Sequence, residues 1–173
     1  MNAGMFGKDH APIGLTIIDG KQVHAINRRN GFGNFHLMPN GVFLLRNDGR
    51  GEVVTSDRFT PAEDIRVATQ SGPMLLIDGK LHPKIDEDGP SHYIRNAVGI
   101  APDGSPAFVI SDDAVSFGKI ARFMRDDLHM KDALFLDGSV SSLWDPAGER
   151  MDNFTDLGPI LVVRRNAESA RNP

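Results

Sequence analysis

Residues 133–144 read ALFLDGSVSSLW, and this stretch decides how the rest of the chain is interpreted. The first four residues are apolar and predict a buried strand. Asp137 follows them at a glycine, and serine hydroxyls come directly after it. Gly138 lets backbone and ligand approach closely, and small polar side chains fit the floor of a polar ligand site. Asp-Gly between two β-like runs is also a strong hairpin signal, so both interpretations stay open here.

One amphipathic helix is predicted over residues 116–128, because apolar side chains recur there at helical spacing and Ser116 is a suitable N-cap. The apolar positions are Phe117, Ile120, Ala121, Met124 and Leu128. If the β-like runs 107–110 and 133–136 are parallel neighbours, this helix is a right-handed crossover between them. Asp137 then lies at the carboxyl end of a strand, where open α/β sheets bind ligands.

The chain before the helix consists of short β-like runs separated by turn signals such as Asp19-Gly20, Asp78-Gly79 and Asp103-Gly104. Residues 158–164 (GPILVVR) predict a further core strand. We therefore expect an α+β (mixed α/β) fold that is largely β, with a mixed sheet, several hairpins and one main helix. Residues 1–165 form a single predicted domain, and the polar residues 166–173 are predicted to be a flexible tail.

Composition narrows the range of functions. The 173 residues are 40% hydrophobic, as in an ordinary globular domain, and the net charge of −4 comes without a run of lysines or arginines. Neither a nucleic acid nor an anionic membrane surface is therefore an expected partner. Cysteine is absent, which excludes disulfides and thiolate metal sites. Apolar runs are too short for a membrane span, and the first residues lack secretory-signal features.

Metal and cofactor motifs are not found. The six histidines are scattered without ligand spacing, and no spacing supports a hard-cation site around Asp137. Gly31-Phe32-Gly33 is an incomplete dinucleotide fingerprint, and no P-loop occurs. A serine at position 142 breaks the G-x-S-x-G nucleophile pattern. We therefore predict neither a metal nor a cofactor.

Four polar, glycine-bearing segments follow or begin β-like runs: residues 2–4 (NAG), 70–73 (QSGP), 95–99 (RNAVG) and 137–139 (DGS). Amides and hydroxyls suit the hydroxyl groups of a sugar, an arginine fork suits phosphate oxygens, and a carboxylate suits acid, base or nucleophile chemistry. Each segment alone is also compatible with an ordinary loop, and Arg95 alone with a surface salt bridge. A sugar-phosphate or glycan is the partner that fits the four together.

In this order the segments resemble the phosphodiester glycosidase family, and the likeness is to its bacterial branch. The matching stretches are distributed over nearly the whole chain: NAGMF (2–6), GNFHLMPNGVF (33–43), ATQSGPMLLIDG (68–79), RNAVGI (95–100) and ALFLDGSVSSLW (133–144). The resemblance implies a hydrolase that cleaves a sugar-1-phosphodiester, of the N-acetylglucosamine-1-phosphate type, at the anomeric carbon. It implies no cofactor and leaves the oligomeric state open.

The resemblance also implies roles for particular residues. Asp137 acts as nucleophile or base, Arg95 holds the phosphate, and Asn2 is the third catalytic candidate. The residues expected to bind the sugar are Gln70, Ser71, Gly72, Gly138, Ser141 and Ser142.

Two departures from the family pattern qualify these expectations. Family members commonly have a run of glycines after the aspartate, whereas Ser139 and Val140 stand here. A non-catalytic carbohydrate or phosphoglycan-binding module is therefore an alternative, and hydrolysis of another ester by Ser141 or Ser142 is a third. Family domains also carry strands, and often an export signal, before the first motif. We expect such an upstream portion to be missing, with a periplasmic or secreted location if it holds the signal.

Overall fold

Two five-stranded sheets form the framework of the computed structural model, which describes residues 1–164. Sheet 1 has the strand order β2-β1-β5-β3-β4, and sheet 2 has the order β7-β6-β10-β8-β9. The strands of sheet 1 are β1 (Thr16–Ile18), β2 (Lys21–His24), β3 (Gly41–Arg46), β4 (Gly51–Thr55) and β5 (Ile65–Ser71). Those of sheet 2 are β6 (Met74–Ile77), β7 (Lys80–Leu81), β8 (Asn96–Ile100), β9 (Pro106–Ile110) and β10 (Ala133–Phe135). A small hairpin, β11 (Trp144–Asp145) and β12 (Arg150–Met151), follows.

The two sheets pack face to face. Their shared core contains Phe43 and Val53 from sheet 1 and Met74, Val98 and Leu134 from sheet 2. Side chains alternate along a strand, and the neighbours of Leu134 in β10, Ala133 and Phe135, belong to a second core on the other face of sheet 2. The outer face of sheet 1 is covered by loops that bring in residues such as Phe59.

The predicted helix covers the outer face of sheet 2. It begins as α1 (Phe117–Arg122) and ends in a π-helical turn, Phe123–Asp127. The hydroxyl of Ser116 accepts a hydrogen bond from the Lys119 N–H at 3.0 Å, as expected of an N-cap. Ile120, Ala121 and Met124 are buried against the sheet. Within residues 1–164, the structure contains no helix long and apolar enough to traverse a bilayer.

The predicted class, a largely β α+β fold, is confirmed, but the expected strand arrangement needs a correction. Every described pairing between the named strands is antiparallel, so neither five-stranded sheet is mixed. The runs 107–110 and 133–136 are not neighbours, because β8 lies between β9 and β10 and pairs with both. β9 and β10 nevertheless run in the same direction. Asp137 therefore follows the carboxyl end of a strand, as expected.

The prediction of a core strand at residues 158–164 is wrong. This segment makes one bridge, between Asn2 and Ile160, and Val162 and Val163 are 73% and 82% exposed. Its hydrogen bonds go to the first residues of the chain, from Ala3 N to Pro159 O at 2.8 Å and from Leu161 N to Met1 O at 2.9 Å. A short apolar run does not by itself reveal whether a neighbouring strand exists to pair with it. The predicted tail, 166–173, lies outside the described residues.

Candidate active site

The pairing of β8 with β10 brings the two main catalytic candidates to the same position. Phe135 is opposite Ala97, and the Leu136 N–H donates to Asn96 O at 3.1 Å, so the register continues beyond the last residue of β10. One residue further, this register sets Asp137 opposite Arg95. Phe135 and Ala97 face the helix, and by alternation so do Asp137 and Arg95.

Arg95 is a buried cation, because only 2% of the residue is exposed. Its Nε donates to Val115 O at 2.8 Å, its Nη2 donates to Ser91 O at 2.9 Å, and its Cζ lies 3.6 Å from the centre of the Phe117 ring. Burial lowers the pKa of Arg95 to about 10, so the guanidinium remains charged at neutral pH. These three contacts are with neutral groups, so they do not neutralise the guanidinium, and a guanidinium suits the oxygens of an anionic ligand.

The aspartate motif does not form a hairpin. β10 pairs with β6 and β8, and Gly138–Val140 is a 3-10 turn. Asp137 is 8% exposed, and its N–H donates to Ala3 O at 3.2 Å. A Cβ on Gly138 would lie 2.7 Å from Cε2 of Phe135. Packing against this ring therefore requires glycine at position 138, whatever its role toward a ligand.

Asn2 is buried, and its side-chain amide joins three segments. Its Oδ1 accepts from Asn96 Nδ2 at 2.7 Å and from the Ser142 N–H at 2.9 Å, and its Nδ2 donates to Asp137 O at 2.8 Å. These contacts hold the main chain at both ends of the DGSVSS turn. The pairing of residues 1–3 with residues 159–161 fixes Asn2 in turn. The Asn2 amide therefore supports the main chain beside Asp137 and is not directed at a ligand.

Ser141 and Ser142 are buried in the same cluster. The Ser141 hydroxyl lies 3.0 Å from Ile94 O and 3.2 Å from Asn96 Oδ1, both of which accept hydrogen bonds. Ser142 contributes its main chain, whose carbonyl accepts from the Asn2 N–H at 3.3 Å. Both serines therefore belong to the hydrogen-bond network of Asn2 and Asn96, with the Ser141 hydroxyl directed into the protein.

The Gln70 side chain lies elsewhere. It faces the outer side of sheet 1, where its Oε1 accepts from the N–H groups of Leu15 and Asn27 at 2.9 and 2.8 Å. Its Nε2 donates to Asn27 O at 2.6 Å and to Asn40 Oδ1 at 3.3 Å. These bonds fasten loops onto sheet 1. The structure therefore does not bring this amide to Asp137, contrary to the grouping expected from the sequence.

Ser71 and Gly72 occupy the junction between β5 and β6. Ser71 is fully buried on the opposite face of β5 from Gln70, and its hydroxyl has no partner among the described residues. A Cβ on Gly72 would lie 2.7 Å from Cβ of Asn40 and 2.8 Å from Phe35 O. The Phe135 N–H donates to Pro73 O at 3.1 Å, so this junction borders the end of β10.

Two features of the site were not identified from the sequence. Asn96 is fully buried and links Asn2 to Ser141; the only sequence signal is its position beside Arg95. A groove of about 160 Å³ lies beside Arg95, with Ser91 and Phe117 in its wall. The other lining residues are Leu37, Lys84, Ile85, Asp86, Gly89 and Pro90. Residues 1–164 contain no cluster of three or more metal-ligating side chains.

The fold and the site define a two-sheet α+β protein with an arginine and an aspartate at one end of the second sheet. Comparison with protein families gives the more specific assignment. The family described as phosphodiester glycosidase matches residues 1–163, and the chain belongs to this family.

Two related proteins extend this assignment. The chain is 38% identical over 148 residues to the uncharacterized protein YigE of Escherichia coli K12, covering 86% of this chain and 58% of YigE. The catalytic domain of zebrafish N-acetylglucosamine-1-phosphodiester alpha-N-acetylglucosaminidase, solved in a form auto-inhibited by its pro-peptide, has a similar fold. The TM-score is 0.56 at 23% identity, over 79% of this chain and 49% of the zebrafish chain. The present chain thus spans little more than half of YigE.

Proposed function

We propose that the protein hydrolyses a sugar-1-phosphodiester, of the N-acetylglucosamine-1-phosphate type, between the anomeric carbon and the phosphate oxygen. Water supplies the new oxygen on the sugar, and the products are the free sugar and a phosphate monoester. The observation that carries this proposal is that β8 and β10 stay in register as far as Asn96 and Leu136, so that Arg95 and Asp137 are the next residues of two neighbouring strands. Membership of the phosphodiester glycosidase family supports the same chemistry.

Arg95 is the residue proposed to hold the phosphate. A phosphate monoester is a good leaving group, so stabilising its developing charge matters more than protonating it strongly. The guanidinium is held by Ser91, Val115 and the Phe117 ring. Because these contacts exist before a ligand binds, little reorganisation is needed when charge develops on the departing oxygen.

Asp137 is proposed to act at the anomeric carbon. As nucleophile, its carboxylate displaces the phosphate and forms a glycosyl ester, which water then opens. As base, it takes a proton from water while that water displaces the phosphate directly. Asn2, Ser141 and Ser142 support the turn that carries Asp137. Both routes consume one water and break the same carbon–oxygen bond.

The test is release of free N-acetylglucosamine from a methyl phosphodiester of N-acetylglucosamine-1-phosphate. We expect turnover by the wild-type protein and a loss of about 10³-fold in kcat for Asp137→Asn. Asp132→Asn is the control. It makes the same change at the residue directly before β10, at the opposite end from Asp137, and is expected to retain wild-type activity. Labelled water should mark the sugar and not the phosphate. No release, an unchanged Asp137→Asn variant or label in the phosphate would each contradict the proposal.

A binding module without turnover is the second candidate. The observation that favours it is Val140, a half-buried side chain at the end of the Gly138–Val140 turn, at a position where the family motif commonly has glycine. Calorimetry with N-acetylglucosamine-1-phosphate separates the two functions. Saturable binding that Arg95→Gln removes, without release of sugar from the diester, would favour the module over the hydrolase.

A further inference from the structure

Asn96 is the best-connected side chain of the candidate site that has no assigned role. It is fully buried at the first position of β8. Its Nδ2 donates to Asn2 Oδ1 at 2.7 Å, and its Oδ1 accepts from the Ser141 hydroxyl at 3.2 Å. Its main-chain oxygen accepts from the Leu136 N–H at 3.1 Å. One residue therefore contacts the N-terminal segment, the end of β10 and the serine turn.

Main-chain groups fix which way the Asn2 amide is oriented, because Asp137 O can only accept and the Ser142 N–H can only donate. The oxygen of Asn2 therefore faces Ser142 and Asn96, and Asn96 turns its donor toward this oxygen. In this orientation the nitrogen donates to Asp137 O and the oxygen accepts from the Ser142 N–H. With the opposite orientation, two donors would face each other at Asn96, and two acceptors would face each other at Asp137.

We infer that Asn96 is a positioning residue, which holds the main chain at Asp137 and Ser142 by donating to Asn2 Oδ1 and so keeping the Asn2 amide in place. It touches neither the proposed sugar nor the phosphate, and it acts through Asn2. The structural part of this inference is independent of any reaction. Its effect on turnover rests on the function proposed above.

Asn96→Asp tests the inference because it preserves the shape of the side chain and changes one donor. In its ionised form, the new carboxylate would present a second acceptor to Asn2 Oδ1. Asn2 Oδ1 then faces an acceptor, so the Asn2 amide must shift or turn over, and its bonds to Asp137 and Ser142 weaken or break. In its protonated form, the carboxyl group carries a donor again and restores the original arrangement, and burial raises the pKa of a carboxyl group. The defect should therefore appear at high pH and diminish at low pH.

The first readout is amide hydrogen exchange, which needs no activity. At about pH 8 we expect exchange at residues 137–142 and 1–4 to be about tenfold faster in Asn96→Asp than in the wild-type protein. At about pH 5 the ratio should approach one, because the buried carboxyl is then protonated. The charged groups nearest to position 96, in the chain and in the strand register, are Arg95, Asp137 and the Met1 ammonium group. The wild-type protein and the variant both contain all three, so they do not by themselves produce a difference between the two proteins.

Asn40→Asp is the matched control. Asn40 is also fully buried, but its Nδ2 donates to Phe35 O at 2.9 Å and its Oδ1 accepts from Gln70. It therefore belongs to the cluster on sheet 1. This variant should leave exchange at residues 137–142 unchanged at both pH values. If Asn96→Asp does not fold, Ser141→Ala removes the hydroxyl bonded to Asn96 Oδ1 and should accelerate exchange in the same two segments.

The second readout is turnover. In Asn96→Asp, kcat should fall about 10²-fold at pH 8 with little change in KM, and the ratio to wild type should recover as the pH falls. Unchanged exchange at residues 137–142, or the same change in Asn40→Asp, would overturn the inference. An inactive wild-type protein would contradict the proposed function instead, and exchange would still decide the role of Asn96.

Discussion

Two buried amide clusters occupy this molecule, and they differ in what they hold. In the first, Asn2 and Asn96 fasten the main chain beside Asp137. In the second, Gln70 and Asn40 fasten loops onto sheet 1. Both clusters derive from polar, glycine-bearing motifs at strand ends. Such a motif therefore contributes to the site only when its polar side chain lies on the face of its strand that is turned toward Asp137.

The largest effect expected from this comparison is on stability, at Gln70. Gln70→Leu keeps the approximate volume but leaves the N–H groups of Leu15 and Asn27 without their acceptor. Each buried group that loses its partner costs about 1–3 kcal/mol, so we expect a loss of about 4 kcal/mol in the free energy of unfolding. Urea titration followed by circular dichroism measures this loss.

The same variant should retain turnover under conditions where it is folded. Gln70→Glu provides the control for stability, because it keeps an acceptor for both N–H groups and loses the donor to Asn27 O and Asn40 Oδ1. A large fall in kcat for folded Gln70→Leu, with stability unchanged, would show that Gln70 belongs to the site. The distinction between the two clusters would then be wrong.

A smaller effect, on catalysis, is expected at Arg95. Arg95→Lys keeps a positive charge but loses the planar fork that reaches Val115 O and Ser91 O together. We expect kcat/KM for the methyl phosphodiester to fall about 10²-fold, which corresponds to about 2.7 kcal/mol. Initial rates over a range of substrate concentrations give this ratio.

Arg50→Lys is the control for this change, because Arg50 is 73% exposed and pairs with Asp48 on the surface. It should preserve wild-type kinetics. Wild-type kcat/KM in Arg95→Lys would mean that a point charge suffices, and it would remove the reason for assigning the phosphate to a guanidinium held by two carbonyl groups.

Local patterns in the sequence predicted what depends on local structure. The apolar run before Asp137 predicted β10, and the helical spacing from Phe117 to Leu128 with Ser116 as cap predicted the helix that ends in a π turn. Strand order could not be predicted in the same way, because the insertion of β8 between β9 and β10 depends on contacts distant in the chain.

The roles of the amides also depend on distant contacts. Asn2 and Asn96 are 94 residues apart in the chain, so no spacing indicates that they share a hydrogen bond. A shift of one residue in the register of β5 would exchange the faces occupied by Gln70 and Ser71. The sequence therefore predicted Asp137 and Arg95 as neighbours in one site, but assigned Gln70 to that site without evidence for the face it occupies.

The smallest effect is expected at His82, which follows β7 in sheet 2. His82 is buried, and its Nδ1 accepts from the Lys84 N–H at 3.1 Å, at the start of the loop that lines the groove beside Arg95. This bond requires a neutral ring. Burial lowers the pKa of His82 below its ordinary value of 6.5, so the unfolded chain takes up a proton before the folded protein does. The stabilisation is complete above that value and is lost as the pH falls.

His82→Asn should remove this pH dependence, because the asparagine oxygen accepts from Lys84 but does not titrate. Between about pH 7.5 and pH 5.5, the wild-type free energy of unfolding should fall more steeply than that of the variant, by up to about 1.4 kcal/mol per pH unit. The difference measured at about pH 8, where imidazole is neutral in both states, provides the baseline. Parallel slopes would mean that His82 takes up its proton at the same pH in the folded and unfolded states, and that the loop beside Arg95 is held without this bond.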